Sequence, residues 1–156
     1  GIKPDVMTVA KALGNGVPIG AFLTSGKASD VLKPGDHGST YGGNPLVCAV
    51  ASKVLDIFKE DDITGNVKAV GDYLKEKLEG MAKEYPFIKE VRGKGLLLGM
   101  EFDIPVADII KSALLDEKMV LINAGSNVLR FIPPLIISKE DVDDALERLK
   151  RVLNKF

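Results

Sequence analysis

Thr8-Val9-Ala10-Lys11-Ala12-Leu13-Gly14-Asn15-Gly16 is the stretch on which the reading of this chain turns. A short apolar run carries one long amine in its middle and stops at a Gly-Asn-Gly turn. An amine buried among apolar flanks loses hydration, which disfavours its ammonium form and lowers its pKa. A neutral amine is what a carbonyl compound needs in order to form a Schiff base. The glycines that follow permit a tight turn and the close approach of another group. A plain strand end, with the lysine reaching past its apolar neighbours into water, fits the same residues. The chain holds 21 Lys and Arg, and most of them belong on a surface.

Outward from this stretch, composition narrows the class. A length of 156 residues suits one domain, or a small domain plus part of another. Hydrophobic residues at 46% and charged residues at 28% describe a globular chain. A net charge of −1 gives no basic face for a nucleic acid. No apolar run reaches the length of a membrane span, and no signal-peptide pattern opens the chain. With one cysteine, Cys48, no intrachain disulfide can form, which agrees with a reducing, cytoplasmic setting. Cys48 lies among Leu46, Val47, Ala49 and Val50 and reads as a small buried hydrophobe. One cysteine and one histidine, His37, make no metal-ligand set, and the acidic residues lack calcium-loop spacing. No metal site is expected.

Residues up to about Gly43 are glycine-rich and irregular, with Ile19–Thr24 as a buried strand candidate. Asn44-Pro45 marks a helix start, since Asn caps well and Pro suits the first helical position. That helix runs to about Lys59, and apolar residues nearly encircle it, so it is predicted to be buried or to lie between domains. Asp61–Gly65 breaks the pattern. Val67, Val70, Leu74, Leu78 and Met81 then mark one face of a second helix. Glu90–Arg92 and Leu96–Phe102 read as strands separated by Gly93-Lys94-Gly95. Pro105 opens a helix with Val106, Ile109, Ile110, Ala113 and Leu114 at helical spacing. Val120–Asn123 and Val128–Ile132 form a hairpin around residues 124–127. Ser138, with Asp141 three residues on, opens a final helix striped by Val142, Ala145, Leu146, Leu149, Val152, Leu153 and Phe156.

Two further groups carry chemistry. Arg130 shares a strand face with Val128 and Ile132, while Leu129 and Phe131 take the other. A guanidinium among apolar neighbours calls for an anion, and its fork suits a carboxylate. That carboxylate is either a ligand's or an Asp or Glu of the protein. Ser39 and Thr40 place two hydroxyls among Gly38, Gly42 and Gly43, just before a helix N-terminus, a setting that favours anions. Such clusters also serve as ordinary loops.

The longer stretch from Gly1 to Ala21, GIKPDVMTVAKALGNGVPIGA, resembles the lysine signature of class III aminotransferases. These are fold-type I enzymes that use pyridoxal 5'-phosphate. The resemblance implies that Lys11 carries the cofactor covalently. His37–Leu46, HGSTYGGNPL, is similar to the family segment that reaches across the dimer interface. There Thr40 would contact the cofactor phosphate of the neighbouring subunit in a homodimer, and Ser39 would lie near the substrate. Asn127–Leu135, NVLRFIPPL, is similar to the segment whose arginine, here Arg130, anchors a substrate carboxylate. Gly93–Glu101 and Leu121–Asn123 read most like the acetylornithine subfamily.

The resemblance implies an α/β fold in two parts. Residues 1–62 would be the C-terminal remnant of the large cofactor-binding domain with an interdomain helix, and 63–156 a small α/β domain. It implies transfer of the amino group of N-acetylornithine to 2-oxoglutarate, in arginine biosynthesis. Other class III reactions, on ornithine, 4-aminobutyrate or glutamate 1-semialdehyde, remain open. Family members are well over twice this length. Their glycine-rich phosphate loop, stacking aromatic and pyridine-facing aspartate precede the lysine and have no counterpart here. The chain is therefore expected to be a C-terminal fragment without turnover of its own, or a non-catalytic folding or dimerisation module.

Overall fold

Strands β3 (Ile88–Lys94), β4 (Leu97–Phe102), β5 (Ile122–Ala124) and β6 (Val128–Phe131) form one antiparallel sheet in the order β3-β4-β6-β5. They belong to a computed structural model that describes residues 1–156. Period-two alternation divides the sheet's faces. Leu98, Met100, Phe102 and Leu129 point into the core and are 0–2% exposed. Leu97, Gly99, Glu101 and Arg130 alternate with them. The core face is covered by α2 (Ile63–Glu84), α3 (Ala107–Glu117) and α4 (Lys139–Leu153). Val70, Leu74, Leu78 and Met81 supply the stripe of α2; Val142, Leu146, Leu149, Val152 and Leu153 supply that of α4. Both stripes follow the helical spacing read from the sequence.

These elements make up one of two compact units, Ile63–Phe156; the other is Gly1–Asp62. The break predicted over Asp61–Gly65 contracts to Asp61 and Asp62, and α2 already begins at Ile63. Gly65 inside a helix costs about 1 kcal/mol relative to Ala, but Ile63 is buried and anchors the first turn. The predicted Gly93–Gly95 separator also moves. Gly93 and Lys94 lie within β3, and the turn is Gly95-Leu96, with Leu96 buried beneath it. Here α2 approaches closely: a Cβ on Gly71 would fall 2.4 Å from the Gly95 backbone. Gly95 itself has φ 57°.

Pro105 does not open α3, which begins at Ala107. The Val106 amide donates instead to Ser126 O at 3.0 Å, so the β5–β6 turn holds the residue that precedes the helix. Residues Lys139–Leu153 follow the cap as read: Ser138 Oγ accepts from the Asp141 amide, and the Asp141 carboxylate accepts from the Ser138 amide. Phe156 lies beyond the helix and is half-exposed rather than part of the stripe.

In the unit Gly1–Asp62, β1 (Val6–Val9) pairs antiparallel with β2 (Ala21–Thr24). Helix α1 (Pro45–Glu60) is capped by Asn44, whose side chain accepts from the Val47 amide at 3.2 Å, with Pro45 at its first position. Burial suggested by the sequence is not found at three places within this unit. The strand at Ile19–Thr24 is exposed along β2, with Phe22 at 55%. Helix α1 buries only Ala51, and Leu46, Leu55 and Ile57 face outward. Cys48 is exposed, not a buried hydrophobe. The physical reason is common to all three: two paired strands and one helix provide no second layer to bury an apolar face.

Candidate functional site

Lys11 lies outside the strand. β1 stops at Val9, and Lys11 opens a 3₁₀ turn, Lys11–Leu13, held by Leu13 N to Ala10 O at 3.1 Å and Gly14 N to Lys11 O at 3.1 Å. The turn continues through Asn15 N to Ala12 O and Val17 N to Gly14 O. Gly14 is required there, since a Cβ would fall 2.1 Å from Val17 O. Lys11 is exposed, so the predicted burial of its amine is not found. The apolar flanks do not enclose it, because the chain turns at the lysine rather than continuing as a strand.

Its backbone is unusual instead. Lys11 has φ 52°, a left-handed conformation that costs a non-glycine residue about 1–3 kcal/mol and recurs at ligand clamps and active sites. Lys118 shares this conformation but caps the C-terminus of α3, where it is common. Asn15 shares it with a side chain that tolerates it. No carboxylate pairs with Lys11. It borders a cavity of about 330 Å³ with Gly16, Val17, Pro18 and Ile19.

Ser39 and Thr40 occupy the exposed loop before α1. Ser39 Oγ accepts from the Gly42 amide at 3.0 Å, and Asn44 Nδ2 donates to Tyr41 O at 2.8 Å. Those bonds tie the loop to the capped start of α1. The Thr40 hydroxyl has no partner in the chain. No hydrogen bond joins Lys11 to Ser39 or Thr40, although the turn at Lys11–Leu13 lies against α1, the helix that follows the loop.

Arg130 belongs to the other unit, on β6. The strand face read from the sequence is correct: Leu129 is fully buried, and Arg130 is exposed on the opposite face. The ion-pair alternative is not found, for no Asp or Glu of the chain bridges to Arg130. Its cross-strand neighbours are Gly99 on β4 and Ile122 on β5. Arg130 is also the one charged residue lining an otherwise apolar cavity of about 440 Å³, with Leu121, Phe131, Pro134 and Leu146 among its walls.

A second arginine on this face escaped the sequence reading. Arg92 on β3 is the other cross-strand neighbour of Gly99. Its guanidinium donates to Glu90 at 2.8 Å and to Glu101. The hydrogen bond it donates to Glu101 raises the Arg92 pKa, against a smaller opposing desolvation. The signal was present in the alternation of Glu90, Arg92 and Lys94, which puts all three on one face. Elsewhere, no group of three or more His, Cys, Asp or Glu side chains could hold a metal ion. No helix is long and apolar enough to cross a membrane.

The fold defines an α/β protein of aminotransferase type. Ornithine δ-aminotransferase from Plasmodium falciparum superposes with a TM-score of 0.92 at 35% identity, over 100% of this chain and 40% of that one. Acetylornithine aminotransferase from Elizabethkingia anophelis superposes with a TM-score of 0.90 at 31% identity, over 99% of this chain and 40% of that one.

The chain belongs to the class-III aminotransferase family, whose sequence pattern matches residues 1–153. Acetylornithine aminotransferase from Caldanaerobacter subterraneus subsp. tengcongensis is 48% identical over 100% of the chain and 39% of the relative. The enzyme of the same name from Methanocaldococcus jannaschii is 46% identical, again over 100% of the chain and 39% of the relative. The chain thus spans about two fifths of the length of the curated relatives it matches.

Proposed function

We propose that this chain supplies the lysine and the carboxylate-binding arginine of a pyridoxal-phosphate aminotransferase that moves an amino group from N-acetylornithine to 2-oxoglutarate. The observation that carries the reading is Lys11: an amine with no ion pair, on a left-handed backbone, beside a cavity, in a chain of this family. The residues present suit the cofactor. Lys11 would hold it, and Thr40, with a free hydroxyl in a loop at a helix N-terminus, would contact a phosphate. When bound, pyridoxal phosphate supplies an electron sink.

The chain's own groups do the rest. Once released, the Lys11 amine takes a proton from the substrate carbon and returns it one position along, which is general acid–base work. Arg130 receives the substrate carboxylate in a bidentate, charge-assisted contact and so orients the bond that breaks. Ser39 lies toward the substrate. In this reading residues 1–62 are part of the large domain, and 63–156 form the small domain. The whole enzyme works as a cytoplasmic homodimer in arginine biosynthesis, with Thr40 reaching the partner's cofactor.

The acetylornithine aminotransferases at 46–48% identity support the acetylated donor; the solved ornithine and acetylornithine enzymes, at 35% and 31%, do not discriminate between the two. The test is to incubate the chain with pyridoxal phosphate, trap with borohydride and map the modified lysine by mass. Selective labelling of Lys11 is expected. Labelling scattered over the surface lysines would mean that the lysine is activated only in the whole enzyme, where normal turnover of Lys11→Ala would defeat the assignment. In the whole enzyme, Lys11→Ala is expected to abolish turnover of N-acetylornithine.

A further inference from the structure

Gly99 sits at a position where nothing in the backbone demands glycine. Of the two glycines inside strands of the four-stranded sheet, Gly93 is fixed by its surroundings: φ is 130°, and a Cβ would fall 2.2 Å from Leu97 O. Gly99 has no positive φ. A Cβ there would meet Val128 Cγ1 at 3.2 Å and only backbone at 4.0 Å beyond it. A side chain is thus affordable with a small shift of Val128. Glycine weakens a strand interior, and where neither turn nor bulge explains it, it marks close approach of a ligand or another backbone.

The neighbours say what would approach. Gly99 pairs with Arg92 on one side and Arg130 on the other, so a position without a side chain lies between two guanidinium-bearing ones. Directly opposed residues on one face stand within side-chain contact of each other. Arg92 is already engaged by Glu90 and Glu101. Arg130 has no carboxylate partner. The row therefore offers one cation without a carboxylate partner beside a position that carries no side chain and is bordered by Val128, with the Arg92 ion pairs on its far side.

We propose that Gly99 is a specificity-determining position: its missing side chain opens the notch through which the carboxylate end of an amino-acid or 2-oxo-acid substrate reaches Arg130. This rests on the reading of Arg130 as the carboxylate anchor. Because Arg92 is held by two carboxylates, the notch accepts a single carboxylate. A side chain at position 99 narrows it in proportion to its size.

The test uses the whole aminotransferase and measures KM and kcat for N-acetylornithine and for 2-oxoglutarate, together with Tm. Gly99→Ala and Gly99→Val are expected to raise KM for at least one carboxylate substrate progressively, by about tenfold or more for Val, with kcat little changed. Arg130→Lys serves as the control on the underlying reading. If Arg130→Lys raises KM and the Gly99 variants do not, the notch is wrong while the anchor stands. If Arg130→Lys leaves KM unchanged, the anchor fails and the notch with it. The double variant Gly99→Ala/Val128→Ala separates ligand exclusion from crowding, because it removes the 3.2 Å contact. A KM that stays raised while Tm recovers supports the proposal. A KM that returns to normal with Tm shows mere repacking and overturns it.

Discussion

Val6, Met7, Phe22 and Leu23 in β1 and β2 are the same kinds of residue, in the same kind of antiparallel strand, as Leu98, Met100, Phe102 and Leu129 in β4 and β6. The first four are 44–55% exposed; the second four are 0–2% exposed. Strand pairing alone accounts for both sets, since backbone hydrogen bonds need only two extended segments in register. Burial needs a second layer. Helices α2, α3 and α4 lie over one sheet, and nothing within Gly1–Asp62 lies over the other. Unit Ile63–Phe156 therefore carries nearly all the hydrophobic stabilisation in this chain, while unit Gly1–Asp62 carries the chemically distinctive lysine.

The largest expected effect would break this comparison if absent. Phe102→Ala should lower the stability of its unit by about 3–5 kcal/mol, because a fully buried ring leaves a cavity. Phe22→Ala should change stability by no more than about 0.5 kcal/mol, as an exposed substitution does. Urea unfolding of both variants measures the contrast. Comparable losses would mean that β1 and β2 have found a partner surface in solution.

A smaller effect sharpens the comparison. Ser138→Ala removes the capping box of α4, whose stripe fills the core, and should cost about 1 kcal/mol. Asn44→Ala removes the equivalent cap from α1. It should leave the unfolding transition of residues 63–156 where it was, since α1 contributes no residue to that core. The ring signals of Tyr73 and Tyr85, resolved by NMR from that of Tyr41, report on that unit alone.

The smallest effect is the pH dependence of the α3–α4 contact. The Asp116 pKa is lowered, chiefly by a hydrogen bond from Lys155 and then by one from Ser112. The Glu117 pKa is lowered, chiefly by a hydrogen bond from Arg151. A carboxylate whose folded pKa is depressed stabilises the fold above its unfolded value and loses that contribution as pH falls through the folded value. With ordinary values of 3.8 and 4.5, the contribution is present at neutral pH and declines below about 4.5. Both carboxylates are exposed or near the surface, so the effect is modest and screened by salt. Thermal melts of Asp116→Asn/Glu117→Gln should show a shallower decline in acid than the parent; an identical slope would remove these pairs from the acid response.

Residues 63–156 were the more legible half. Helical spacing marked the buried faces of α2 and α4, Ser138 and Asp141 marked the cap, and alternation placed Leu129 inward and Arg130 outward. Those signals are local and the structure uses them locally. Misreadings concentrated in residues 1–62. Apolar neighbours suggest burial for Lys11, Cys48 and the apolar positions of α1, and hydrophobicity by itself cannot say whether a covering layer exists.

The chain's sequence determined the family, the position of the lysine, the helix boundaries set by Asn44 and Ser138, and the two faces of β6. These depend on residue type and on spacings of a few residues. Only the tertiary structure decided that Lys11 sits on a left-handed backbone at the head of a 3₁₀ turn. It also decided that Arg92 is neutralised while Arg130 is free, and that Gly99 stands between them. Cross-strand register brings together residues 92, 99 and 130, and pairing between distant segments is set by the packing of the whole sheet, not by any one stretch of it.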